Sequence, residues 1–493
     1  MNLLEKARKY EALHGAEVAA EERPLFHISA QVGWLNDPNG FSFYKGKYHQ
    51  FFQYHPYSNH WGPMHWGHCV SDDMTKWEYL PAVLAPDQPY ETGCFSGSAL
   101  TLDDGRQLFM YTSHLDHVYE DGSTGVTETQ SLAFGDGLNY EKYEGNPVIT
   151  AADLPEGASS ADFRDPKIWR EEDGTYACVT VGRDLATDEG QVYLFRSPDA
   201  IHWTYEQTLE KSGMVYGDMW ECPDFFRLDG KDVLLVGCMN MCAPSEDFRP
   251  GNCVIAIIGE YDRATKTWKH ESIQALDMGF DFYASQTMVG PDGRCLLSGW
   301  MESVESGSCI RHGAKWQCML SYPRELHVKD GRIYQLPVRE IEKYYQNPVT
   351  VDEPAFCGTQ SYAGVSGRVL DLTAEVSFED SACKTFAMKF AANSRFETVV
   401  SYDTAAGKLT VNRMKAGGHH DIANLRTFPV KLHDGKLKLR LLLDRFSGEL
   451  FLNDGEYAFS LTLYETPQDA QDIVFMADAP VALHIEKHDI VID

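Results

Sequence analysis

Basic residues are scarce in this chain. Only 43 lysines and arginines stand against 73 aspartates and glutamates, a formal charge of −30, and so acidic a surface repels polyphosphates. Nucleic acid and anionic membrane are therefore excluded as partners. The acidic excess is not gathered into blocks, so it reads as a solvated surface rather than a tail. Long apolar runs are missing too. No window approaches the roughly 20 apolar residues of a membrane span. The opening MNLLEKARKYEALHGAEVAAEE interrupts its apolar residues with charges too often for a signal peptide. Residues 1–24 are expected to form a helical extension. The twelve cysteines show no disulfide or zinc spacing, Cys238 and Cys242 coming closest, and read as reduced thiols in a cytoplasm. Neither metal nor cofactor is expected.

Helical periodicity is also lacking over residues 25–345. Short β-branched and aromatic runs such as RQLFMYTS, TYACVTVG and QVYLFRS alternate there with Gly, Asp, Asn and Pro clusters, the pattern of many antiparallel strands. Within it SDDMTKWEYL, FGDGLNYEKY, SPDAIHWTYE and YDRATKTWKH each set a turn-forming Asp a few residues before an aromatic. Those aromatics, Trp77, Tyr140, Trp203 and Trp268, recur every 63 to 65 residues. One such unit fits a four-stranded blade and about five fit the segment, which predicts an all-β fold with a five-bladed β-propeller. An ordinary sandwich with coincidental Asp-turn-Trp hairpins would account for the spacing alone. From about residue 346 to 493 alternating runs such as KLKLRLLLDR, ELFLNDG and AFSLTLY predict a separate β-sandwich, with the boundary near YYQNPVTVDEP.

Three motifs pair an acid with a proline: WLNDPNG around Asp37, FRDPK around Asp165 and WECPDF around Glu221. Proline restricts the local backbone and offers no competing amide donor, so each acid is held in a fixed direction. One Asp-Pro pair is an ordinary turn. Three acids in step with the blade period are expected to converge on the propeller axis, with FSGSA around Ser96 and DFYASQ around Tyr283 near the remaining two blade positions. Carboxylates crowded at one mouth repel one another, so at least one should hold its proton near neutral pH. Such a set suits glycoside hydrolysis, in which one carboxylate attacks or activates and another protonates the leaving oxygen.

With these motifs, together with FFQYHP, WGPMHWGHCVSDDMTKW, SGWM, YPREL and LLLDRFSGELFLNDGE, the chain resembles glycoside hydrolase family 32 from about Phe26 onward. That family holds the invertases, fructan hydrolases and sucrose-6-phosphate hydrolases. The resemblance implies a five-bladed propeller followed by a β-sandwich, and double-displacement hydrolysis of a terminal fructosyl unit with retention. Asp37 would be the nucleophile, Glu221 the acid/base and Asp165 the transition-state stabiliser. Asn36, Gln53, Trp61, Phe95, Ser96 and Arg164 would hold the small-molecule carbohydrate. Trp34 offers a further apolar wall, and Tyr283 and Trp300 are additional site candidates. Cys222, beside Glu221, either tunes that acid's surroundings or is a small buried hydrophobe. After SGWM the chain departs from the pattern, and the segment MESVESGSCIRHGAKW is expected to shape the leaving-group side. Arg311, His312 and Lys315 on it are candidate contacts for a phosphate. A fructosyltransferase of the same fold, or a carbohydrate-binding protein without catalysis, are the competing readings. An inverting arabinan-type hydrolase is disfavoured by WLNDPNG.

Overall fold

The computed structural model describes residues 1–307, 310–311, 313–418 and 422–492. Its first part is a ring of five antiparallel sheets, blades I to V in chain order. Their inner strands are Gly33–Tyr44, Gly93–Thr101, Ala158–Arg170, Met219–Leu228 and Tyr283–Val289. Neighbouring inner strands touch around the ring, the last against the first. The ring closes where Trp316–Gln317 pairs in parallel with Gly33 and Trp34 of blade I.

The repeated Asp-aromatic signature is the outer hairpin of each of the first four blades. Asp73, Asp136, Asp199 and Asp262 each accept hydrogen bonds through Oδ1 from two backbone amides two and three residues on. The side chain thus mimics a backbone turn. The following aromatic begins the outermost strand at Trp77 and Tyr140, directly precedes it at Trp203 and is its second residue at Trp268, and Trp77 and Trp203 donate back to carbonyls within the turn. Blade V lacks the signature because Asp330 and Gly331, at φ 52° and 72°, close its outer hairpin in two residues.

Every inner strand carries a two-against-one β-bulge at the same level. The register slips at Asn36 and Asp37, at Phe95 and Ser96, at Asp165 and Pro166, at Cys222 and Pro223, and at Ala284 and Ser285. Bulges re-aim side chains and sharpen local twist, so all five strands bend at one mouth of the ring. Asp165, Cys222 and Ala284 take left-handed φ values of 63°, 48° and 48°, strain that a packed surround must hold. Proline follows two of these, removing an amide that the broken ladder would have orphaned.

The second part is a β-sandwich. Leu370–Ser377, Lys436–Asp444, Ser447–Leu452 and Tyr457–Thr462 form one leaf, and Thr385–Ala392, Glu397–Asp403, Lys408–Lys415 and Leu425–Pro429 the other. The long pair Tyr345–Gln360 and Asp472–Ile490 runs through both, joining the first leaf through Ala482–Asp489 and the second through Asp472–Ala477. Strands that change leaf in this way form the sandwich corners. Lys436–Asp444 begins with alternating burial and ends buried on both faces. Leu441 and Leu443 join the sandwich core, while Leu442 packs with Phe26 and Tyr322 of the propeller side.

The helix Leu3–Gly15 opens on a capping box of Asn2 and Glu5, and clasps the edge of blade I. Arg8 Nε donates to the Ala82 carbonyl at 2.7 Å and Glu11 Oε1 accepts from the Ala82 amide at 2.8 Å, so side chains cover an edge that would otherwise template another strand.

A fully buried ionic cluster locks propeller to sandwich. His27 Nδ1 lies 2.9 Å from Asp444 and its Nε2 2.9 Å from Glu449, and Arg324 reaches Glu449 at 2.5 Å and Asp277 at 2.9 Å. Burial disfavours the imidazolium, but the two carboxylates outweigh it and push the His27 pKa up to about 9. His27→Ala takes a cation from two buried carboxylates, of which Glu449 keeps Arg324, and the expected loss is about 3 kcal/mol, read from the urea midpoint. The folded pKa is raised, so the His27 contribution is complete below 6.5 and fades as pH rises through about 9. The difference between wild type and His27→Ala should shrink over that window, and a pH-independent difference would contradict an ionic role.

Candidate active site

The three acids meet where the bulges bend inward. They do not occupy equivalent positions, as equal spacing had implied. Asp37 is the second residue of its bulge, Asp165 the first of its own, and Glu221 precedes the bulge of blade IV. This stagger lets three side chains share one mouth without overlapping.

Asp37 is held by four side chains. Its Oδ2 accepts from Ser96 Oγ at 2.5 Å, Gln53 Nε2 at 3.1 Å and Cys222 Sγ at 3.5 Å, and its Oδ1 from Asn36 Nδ2 at 3.2 Å. Gln53 also donates to Ser96. Trp34 Nε1 in turn fixes Asn36 Oδ1 at 2.8 Å. Burial raises the Asp37 carboxyl above its usual range and Glu221 adds to this, against the hydrogen bonds from Ser96, Asn36 and Cys222. These donors fix the direction of the carboxylate as well as its charge.

Asp165 owes its place to blade II. Its backbone amide, pulled out of the ladder, donates to Thr112 Oγ1 at 2.9 Å, and Thr112 donates to Gln130 at 2.8 Å. The Asp165 carboxyl accepts from the Cys222 amide at 2.9 Å and lies 4.0 Å from Arg164 Nε. Burial pushes its pKa up to about 8, reinforced by Glu221 and Asp37 and opposed by Arg164 and the Cys222 amide. Of the three acids it has the clearest cause to hold a proton near neutrality.

Glu221 is more accessible than Asp165, with 22% of its side chain exposed against 5%. Its Oε1 accepts from Arg164 Nε at 3.3 Å and Nη2 at 3.2 Å, and its Oε2 from the Tyr283 hydroxyl at 2.8 Å. Burial and the negative Glu221 hold the Tyr283 phenol well above its usual range, so it stays a donor. Gly237 stands opposite Glu221 in the ladder, and a Cβ there would come within 2.9 Å of the Tyr283 ring. Glycine makes that approach possible.

Cys222 does not touch Glu221 through its thiol. The sulfur lies between Asp37 at 3.5 Å and Asp165 at 3.7 Å, and burial with three nearby acids keeps the thiol protonated. The aromatics divide into two groups. Trp34 and Trp300 are buried with ring centroids 6.1 Å apart, and Gly307 packs against both. Trp61, 55% exposed, meets Phe95 at 6.0 Å, and Phe95 stacks on His114 at 4.1 Å.

The segment after Trp300 braces the loop that carries Trp61, since Asn59 Nδ2 donates to the Ala314 carbonyl at 3.1 Å. Its cations are occupied elsewhere. The Arg311 guanidinium lies 3.9 Å from the Trp316 ring and 4.4 Å from that of Tyr464, and Lys315 donates to the Glu17 carbonyl at 2.8 Å. Both cations are engaged in these contacts, and His312 lies outside the described residues. A cleft of about 1170 Å³ opens at the opposite mouth and is lined by residues such as Lys167, Asp224 and Thr287. A small space of about 10 Å³ lies on the axis beside Asp165 and Cys222.

Two residues with no motif around them also join the site. Glu128 and His114 of blade II pair across strands, and Glu128 accepts from Arg164. Nothing local in the sequence marks them, because the Glu128 contact with Arg164 crosses between blades.

The family model for the Glycosyl hydrolases family 32 N-terminal domain matches residues 27–337, and that for the family 32 C terminal matches residues 340–490. A raffinose invertase of Escherichia coli is 35% identical over 93% of this chain and 93% of its own length. A sucrose-6-phosphate hydrolase of Escherichia coli is 33% identical over 91% and 90%. Among solved structures, the Bombyx mori GH32 beta-fructofuranosidase superposes with a TM-score of 0.82 at 33% identity, covering 99% of this chain and 97% of that one. A mutant of it was solved in complex with sucrose and superposes equally well. A five-bladed ring of bulged strands converging three acids, followed by a sandwich, is thus matched along nearly its whole length, and the chain belongs to glycosyl hydrolase family 32 and is a glycosidase.

Proposed function

We propose that the acid cluster hydrolyses terminal β-fructofuranosyl bonds of uncharged sugars by double displacement. The observation that carries this reading is the unequal holding of two carboxylates. Asp37 is pinned by Ser96, Gln53, Asn36 and Cys222, as a nucleophile must be. Glu221 stands on a different blade, held by two partners, Arg164 and Tyr283. In the first step Asp37 attacks the anomeric carbon while Glu221 gives a proton to the departing glycosidic oxygen. In the second, Glu221 takes a proton from water, which attacks the same carbon and frees Asp37. Asp165 accepts fructose hydroxyls, and a proton retained there near neutrality relieves the repulsion among three acids.

The strongly acidic surface and the engagement of Arg311 and Lys315 elsewhere support a neutral substrate such as sucrose or a short fructo-oligosaccharide. The relatives named for raffinose and for sucrose 6-phosphate frame the choice. Parallel kinetics on sucrose, sucrose 6-phosphate and 1-kestose test it. Sucrose should be cleaved with no phosphoryl group, and activity confined to the 6-phosphate would overturn the proposal. All eleven described cysteines are free thiols, which supports a reducing, cytoplasmic location.

A further inference from the structure

The geometry points to Glu128 as a positioning residue for the acid/base: it fixes Arg164 so that one edge of the guanidinium is presented to Glu221. This inference rests on the reading of Glu221 as acid/base.

Glu128 is almost wholly buried, with 3% of its side chain exposed, yet it stays ionised. Burial alone would raise its carboxyl, but Arg164, the His114 hydrogen bond and the Phe163 amide together hold it below the usual range. Both its oxygens are used. Oε2 accepts from Arg164 Nη1 at 3.2 Å and from the Phe163 amide at 2.9 Å, and Oε1 lies 3.1 Å from His114 Nδ1. His114 stands directly opposite Glu128 in the ladder, and its other nitrogen is 3.2 Å from Asp116. The carboxylate therefore has a fixed position and a fixed charge.

Arg164 is surrounded by competing acids. Asp162 is 3.6 Å away and Asp165 4.0 Å, and either would draw an unrestrained guanidinium off Glu221. Its Nη1 is tied to Glu128, which leaves the Nε and Nη2 edge directed at Glu221 Oε1. Because the guanidinium is a rigid planar fork, holding one nitrogen sets the direction of the other two. The Phe163 amide bond ties Glu128 to the backbone that carries Arg164, so the carboxylate and the guanidinium move as a unit. Tyr283 then locates the second oxygen of Glu221. Proton transfer to the leaving oxygen requires this aim to be right within a few tenths of an ångström.

A positioning role predicts a loss that depends on the leaving group. Glu128→Gln should lower kcat on sucrose by about tenfold to a hundredfold, with KM little changed and the rate on p-nitrophenyl β-fructofuranoside falling by less than about threefold, because an activated leaving group needs little proton donation. In a Glu221→Gln background the same substitution should cost nothing further on sucrose. Glu128→Asp, which restores the charge, should recover part of the loss. It also serves as the test protein if Glu128→Gln folds poorly, with the same preference for the activated substrate expected at smaller size. Equal losses on both substrates from Glu128→Gln, or additive losses in the double variant, would overturn the positioning role while Glu221→Gln alone still discriminates. If Glu221→Gln itself fails to discriminate, the acid/base assignment falls and this inference with it.

Discussion

Asp37→Ala is expected to remove turnover of sucrose and of p-nitrophenyl β-fructofuranoside alike, by on the order of 10⁴-fold or more. A better leaving group does not replace a missing nucleophile, so the activated substrate gives no relief. The carboxylate is the focus of Ser96, Gln53, Asn36 and Cys222. Its removal leaves those groups facing a gap while the rest of the acid cluster stays bound to Arg164, Tyr283 and the Cys222 amide. Folding should therefore be unaffected, and circular dichroism with a thermal melt serves as the control. A variant that keeps more than about a hundredth of wild-type activity on either substrate would deny Asp37 the nucleophile's role.

Glu221→Gln should behave differently. Sucrose hydrolysis needs a proton on a poor leaving group, and losing the acid should cost about 10²- to 10⁴-fold. With p-nitrophenyl β-fructofuranoside the first step should survive, so a burst of p-nitrophenol appears as the covalent intermediate accumulates. Water then attacks slowly without a base, and azide, which needs none, should restore turnover and yield a fructosyl azide. The amide keeps the shape of the side chain, though its nitrogen cannot accept from Arg164 or Tyr283 as the carboxylate oxygens do. Some loss common to both substrates is therefore expected beneath the difference. The same loss on both substrates, with no response to azide, would mean that the acid/base lies elsewhere.

The two variants also separate the electrostatics of the cluster. Burial pushes Asp165 up to about 8, with Glu221 and Asp37 contributing. Removing either neighbouring charge takes away a source of repulsion, so Asp165 should ionise more readily in Asp37→Ala and in Glu221→Gln.

Much of the architecture is legible without a structure because it rests on local chemistry. An Asp that caps its own turn before an aromatic recurs at Trp77, Tyr140, Trp203 and Trp268, and a hairpin of this kind is complete within a dozen residues. Alternation in KLKLRLLLDR announces a sandwich strand, and the break in alternation at its end marks the face turned to the propeller. The acids are legible for a similar reason. Proline beside Asp37, Asp165 and Cys222 marks where the ladder breaks, and a broken ladder at a barrel or ring mouth is where side chains are re-aimed.

The sequence by itself therefore determined the repeat, the two-part β architecture and the identity of the three acids, since each is written in residues close together in the chain. Only the tertiary structure decided how those residues meet. The one-residue offsets among bulges set Asp37, Asp165 and Glu221 at staggered rather than equivalent positions, and no period of 63 to 65 residues resolves a shift of one. The Cys222 thiol lies between Asp37 and Asp165 rather than against its neighbour Glu221 because a left-handed φ of 48° turns it there. Arg311 is folded onto Trp316 and Tyr464, and Glu128 reaches Arg164 from another blade. Each of these contacts joins segments brought together only when the ring closes, and a linear pattern of residues carries no record of that closure.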